Sequence, residues 1–368
     1  MITIATNMEH IEKYIDYLIN ESEKQIPENE RELLYLDILN LNFLYQDYTG
    51  SFYSKTNTIN QITQEQKQLK MNTDLIYVKP YYREIAKQVL KEIKIPEREQ
   101  INFQNDYTID ELDKILKQFY EDTNNLNGYQ LWQSLLEEQF FFFKKTKLKS
   151  AGGTTYPLNS NQIAPVVIWR EKINLDFIMI LIHELAHIED YQNTKNEVRR
   201  HSTRSPWKEV VSITRQKQFL LWAMKQNLNH AHNLMIHNQT SGIIQLSSII
   251  PPKEISGEKK LLSIFGKVDE KTKEWDKIEG QKINWDNLIP YGLADFYSTS
   301  FIHERNNDAE FTNYRLEQFH QNKHRVLFPI KDYGIPEIDY QTFETILGVN
   351  RNLVIEAMKQ NLSRVKTK

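Results

Sequence analysis

The sequence predicts a mainly α-helical protein with a small β-sheet, an α+β fold in two parts. Three observations predict it. Apolar residues recur at helical spacing through most of 8–147, a Gly-rich break follows at Ser150 to Tyr156, and a short β-branched run then leads into an almost wholly apolar stretch, Leu175 to Ile188. On this reading residues 1–148 form an α-helical domain, and residues 149–368 form a second domain that carries the chemistry.

In the first part, Ile11, Tyr14, Ile15 and Leu18 lie on one helical face, and Leu33, Leu34, Leu36, Ile38, Leu39, Leu41 and Leu44 make a second, broader one. Thr108 with Glu111 is a capping-box pair that opens a helix carrying Leu112, Ile115, Leu116 and Phe119. Leu131, Leu135, Leu136 and the row Phe140 to Phe143 continue the helical half as core packing. Such a domain shapes or covers a site. The break SAGGTTY is a turn and not a phosphate loop, because it lacks the Lys-Ser/Thr ending that contacts phosphate and magnesium.

In the second part, Ile163 to Trp169 reads as a strand whose edge can pair with an extended peptide. Asn174 and Asp176 mark the start of the next helix. After a polar loop from Gln192 to Arg204, Ser205 and Pro206 supply an N-cap and first-turn proline for a long helix burying Trp207, Val210, Val211, Phe219, Leu220 and Trp222. Ser247 to Gly257 is another break, Lys259 to Lys277 a further helix. An amphipathic helix with Phe343, Ile346, Leu347, Leu353, Val354, Ile355 and Met358 ends the chain.

Charge and composition remove several function classes. The 46 basic and 49 acidic residues give a formal charge of −3 with no long block of one sign, so nucleic acid is not an implied partner. With no cysteine there are no disulfides and no thiolate ligands, so any bound zinc is held by nitrogen and oxygen. The N-terminus shows no secretory pattern, and the longest apolar run falls well short of the roughly 18 residues a membrane span needs. The expectation is a soluble, cytoplasmic protein, and export without such a signal is compatible with the sequence.

The chemistry concentrates in IMILIHELAHIED, Ile178 to Asp190. Residues four apart share a helical face, so His183 and His187 can direct two imidazole nitrogens at one zinc ion. Glu184, beside the first of them, is placed as the general base for a metal-activated water. A buried helix could instead carry histidines satisfied by backbone carbonyls. Two histidines and a glutamate amid the ten apolar residues from Leu175 to Ile188 would then be costly without a partner, and a metal is such a partner.

A catalytic zinc site needs a third protein ligand and an open position for water. Three downstream residues are candidates. Glu310 stands three residues after Asn307, where it could equally complete a capping box. Glu209 could be an ordinary first-turn acid, and His201, among Arg199, Arg200 and Arg204, a solvated loop residue.

The order HELAHIED, then a helix with an early tryptophan, then NNDAEF resembles the gluzincin group of metallopeptidases. Locally it is similar to the lethal-factor and Mlc-titration-factor types, whose Tyr-x-x-(Thr/Ser)-Asn-x-Ala-Glu-Phe phrase supplies the glutamate ligand. The resemblance implies a zincin-like metallopeptidase domain over 149–368, with His183, His187 and Glu310 as zinc ligands and Glu184 as general base. It rests on these two short phrases alone. Where those families place an oxyanion-stabilising tyrosine this chain has His303, and where they place an acid that orients a ligand it has Tyr314. The gap between the phrases is also longer than in the lethal-factor type. HELAH followed by His201 and Trp207 is similar, in competition, to SprT-like proteases, which implies His201 as third ligand.

The sequence therefore leads to a zinc-dependent metalloendopeptidase acting on a protein or peptide, with Zn²⁺ as cofactor and His303 or Tyr297 facing the oxyanion. Its alternative is a non-catalytic helical binding or regulatory protein with a structural zinc.

Overall fold

The structure is a computed structural model, and it describes residues 8–55, 106–146, 152–159, 163–193, 209–247, 285–303, 305 and 308–322. The Ser205–Pro206 cap, Trp207, His201 and the helices expected at Lys259 to Lys277 and after Phe343 lie outside the described residues. The fold is mainly helical with a small sheet, as the sequence predicts. Among the described residues, no helix is long and apolar enough to cross a membrane.

The first compact unit contains helices α1 (Glu9–Ser22), α2 (Glu28–Thr49), α3 (Ile109–Asp122), α4 (Leu126–Glu137) and α5 (Leu175–Asn193), and strands β1 (Phe141–Lys145), β2 (Gly153–Thr155) and β3 (Val166–Arg170). α1 buries Ile11, Ile15 and Leu18, the expected helical face. The capping box of α3 is formed in both directions: the Thr108 hydroxyl accepts from the Glu111 N–H at 3.2 Å, and the Thr108 N–H donates to Glu111 Oε2 at 2.8 Å. Those bonds satisfy two of the orphan donors at the helix start and fix where it begins. They also hold the Glu111 carboxyl below the usual carboxylate range.

Two segments expected as helix and turn are strands. The row of phenylalanines is β1, paired in parallel with β3 from Phe141↔Val166 to Lys145↔Arg170. β2, inside the expected turn, pairs antiparallel with β3, from Gly153↔Ile168 to Thr155↔Val166. The physical reason is side-chain alternation, which lets β1 be buried on both faces. Phe141 and Phe143 meet Phe177 of α5 edge-on, while Phe142 packs against His10 of α1 and Tyr48 of α2.

The strand order β1-β3-β2 puts β3 in the middle of the sheet. The β3 edge expected to receive a peptide is therefore already filled, and β2 borders the sheet on the α5 side instead. The sheet draws strands from both sides of residue 149. Polar contacts from α2 pin the segment after β2. Asn40 Nδ2 donates to the Pro157 carbonyl at 2.7 Å, Asp37 Oδ1 accepts from the Asn159 N–H at 2.6 Å, and the Tyr156 hydroxyl donates to Asp47 Oδ2.

The second compact unit contains α6 (Val210–Lys225), α7 (Ala231–Ser247), α8 (Trp285–His303) and α9 (Ala309–Asn322). α6 buries Val210, Val211, Phe219, Leu220 and Trp222, as expected. α6, α7 and α8 pack on one another. Their interior holds an ion pair, Lys217 Nζ to Asp295 Oδ1 at 2.6 Å, and Lys217 also donates to Thr299 Oγ1 at 2.6 Å. α9 begins one residue later than the sequence suggests. Asp308 is its cap, accepting from the Phe311 N–H at 2.7 Å, so Glu310 is the second helical residue and does not complete a capping box.

Candidate metal centre

α5 starts where Asn174 Oδ1 accepts from the Phe177 N–H at 3.0 Å, and Arg170 at the end of β3 pairs with Asp176 in its first turn at 2.8 Å. The helix is then buried on nearly every side. The exception is a stripe of half-buried residues, Asp176, Ile180, His183 and His187, spaced four, three and four apart. That spacing is one face of an α-helix, so the histidines occupy the one partly open stripe on an otherwise covered rod.

Their rings converge. The two Nε2 atoms lie 3.2 Å apart, with ring centroids at 4.8 Å and ring planes crossed at 84°. A tetrahedral zinc with nitrogen distances of about 2.0–2.1 Å holds two imidazole nitrogens roughly 3.3 Å apart, so this donor pair fits the ion. The same distance also suits an N–H···N bond in which one ring carries the proton.

The downstream acids Glu209 and Glu310 both belong to the second compact unit. Glu209 immediately precedes α6 and is 2% exposed, yet its side chain makes no capping bond to the helix. Ser212 Oγ reaches its carbonyl at 3.0 Å and its Oε2 at 3.3 Å. Two nitrogens and a carboxylate oxygen, with no sulfur, are the donors a catalytic zinc uses.

Glu184 is 5% exposed and is gripped by β2. Thr155 Oγ1 lies 2.7 Å from Glu184 Oε2 and 3.1 Å from the Glu184 carbonyl. A Cβ on Gly153 would stand 2.7 Å from Glu184 Cγ and 2.8 Å from its Oε1, closer than any real side chain allows. Neighbouring Tyr156 has its hydroxyl pushed well above the usual phenol range, first by burial and then by its bond to Asp47.

The remaining sequence candidates lie on α8 and α9. Glu310 is exposed in the first turn of α9. His303 is half-buried at the end of α8, Tyr297 is fully buried within that helix, and Tyr314 is half-exposed on α9. Sequence reasoning did not single out Gly153 or Thr155. Their signal was the GGTT phrase before a β-branched run, which also reads as a loop.

No protein-family model matches the chain, and no curated protein matches it. Among solved structures, the chain is similar to a protein provisionally described as oligoendopeptidase F from Bacillus anthracis strain Ames. The identity is 12%, over 96% of this chain and 65% of that one, with a TM-score of 0.46. It is also similar to a protein provisionally described as a peptidase from Chlamydophila abortus, at 12% identity over 98% of this chain and 63% of that one, with a TM-score of 0.48. A further structure, provisionally described as oligoendopeptidase F, shares 10% identity over 98% of this chain and 66% of that one, with a TM-score of 0.47. The chain thus spans less than two thirds of the length of the structures it matches. The likeness assigns no role to any residue here.

Proposed function

We propose that the chain is a zinc-dependent metalloendopeptidase. The observation that supports this reading is the converging Nε2 pair of His183 and His187, placed on the helix that also carries Glu184. His183 and His187 would hold the ion through Nε2, and Glu209 through a carboxylate oxygen. Glu310 is the competing third ligand, favoured by the NNDAEF phrase. When bound, zinc polarises the scissile carbonyl and makes water acidic enough to ionise near pH ~7.

The chain's own residues do the rest. Glu184 takes the proton of the attacking water and later gives it to the departing amine nitrogen, so the carboxylate is regenerated at each turnover. His303 donates to the carbonyl oxygen as negative charge builds there. β2, three residues long, offers its backbone to an extended protein or peptide substrate.

Elemental analysis tests the ligand set. The purified protein is expected to hold stoichiometric zinc, His183→Ala and Glu209→Ala to lose it, and Glu310→Ala to keep it. The reverse result for the two glutamates transfers the third ligand to Glu310. A protein that binds no zinc and cleaves no peptide overturns the proposal. Stoichiometric zinc with no cleavage of any peptide favours the alternative, a binding protein with a structural metal.

A further inference from the structure

We infer that β2 is built to aim Glu184, with Thr155 acting as the positioning residue that fixes which carboxylate oxygen takes the proton. The inference rests on the reading of Glu184 as general base. Residues two apart on a strand share a face, so Gly153 and Thr155 both look toward α5, while Thr154 points the other way. The two positions act on different oxygens of one carboxylate. Gly153, lacking a Cβ, leaves the space in which Glu184 Cγ and Oε1 lie. Thr155 meets Oε2 at 2.7 Å, nearer than the 3.1 Å to the Glu184 carbonyl.

A hydroxyl has a single proton to donate, and the shorter contact is to the ionised group, where the bond is charge-assisted. Oε2 is thereby committed to Thr155, and Oε1, on the Gly153 side, is the oxygen left to accept a proton. The arrangement also removes rotamer freedom from a long side chain. A free glutamate would otherwise lose that freedom at each turnover, and a misplacement of about 1 Å in such a group costs on the order of a hundredfold in rate.

The tests are Thr155→Val, which keeps the shape and removes the hydroxyl, and Thr155→Ser, which keeps the hydroxyl. Cleavage is followed on a panel of internally quenched mixed-sequence peptides with the zinc-loaded full chain. Thr155→Val is expected to lower kcat at least ~10-fold with KM and zinc content unchanged, and Thr155→Ser to restore most of the loss. A wild-type kcat in Thr155→Val, or no rescue by Ser, overturns the inference. A second measurement uses no turnover. Melting temperatures of the zinc-free protein are compared for Thr155→Val, Glu184→Gln and the double variant. A double variant that loses less than the sum of the singles supports the contact, and additive losses overturn it. If the wild type cleaves no peptide, the peptidase reading fails, while the melting comparison still decides whether Thr155 holds Glu184.

Discussion

Two buried carboxylates in this molecule are accommodated by the same device and meet different partners. Glu184 in the first unit and Asp295 in the second each lie against a glycine that has no room for a Cβ. At Gly153 the added atom would sit 2.8 Å from Glu184 Oε1, and at Gly242 it would sit 2.6 Å from Asp295 Oδ1. Both acids are nearly inaccessible, at 5% and 6% exposure. What differs is the partner. Asp295 is neutralised by Lys217, itself bonded to Thr299, so its charge is spent on holding α6 to α8. Glu184 is met by a neutral hydroxyl, which orients the carboxylate without cancelling its charge. One acid is held by a cation, the other by a hydroxyl.

The comparison can be broken at several points. Glu184→Gln should abolish peptide cleavage, a loss of ~1,000-fold or more, while zinc stays bound and the protein stays folded. Residual cleavage near the wild-type rate would remove Glu184 from the chemistry. Lys217→Met should do the opposite. It leaves Asp295 buried without its cation and should lower stability by ~3 kcal/mol in urea unfolding, whereas Glu184→Gln should cost less than half of that. The two glycines sharpen the contrast further. Gly242→Ala presses on a carboxylate clamped by an ion pair and should cost ~2 kcal/mol. Gly153→Ala presses on the free end of a flexible glutamate, so calorimetry should show the smaller loss of stability and kinetics the larger loss of kcat.

The smallest effect concerns pH. Burial and the Asp47 bond make folded Tyr156 hold its proton more tightly than the unfolded chain does, relative to an ordinary value of 10.0. Its contribution is therefore complete below about pH 10 and is lost as pH rises above that value. Tyr156→Phe should flatten the alkaline fall in melting temperature, at a cost of ~1 kcal/mol near neutrality from the missing bond.

What was legible in the sequence was local. Thr108 with Glu111, Asn174 before Leu175, and His183 with His187 each act within one helical turn, so spacing alone reveals them. The mainly helical class with a small sheet followed from the same periodicities. What stayed hidden depends on partners far along the chain. Phe141 to Phe143 form a strand because β3 pairs with them, 25 residues later at Phe141↔Val166, and a row of four aromatics has no period of its own to show it. Gly153 to Thr155 became a strand for the same reason, and three residues are too few to display alternation. Glu209 was visible only as one of three candidates. Its burial cannot be inferred from the phrase KEVVS.

The bonds from Asp37, Asn40 and Asp47 to the segment after β2 join positions 109 to 122 residues apart. Loop-closure entropy must be overcome before such links hold, so they are costly to close although the segment they pin is short. A fragment lacking α2 would keep the HExxH residues but lose the scaffold that registers the strand beside them.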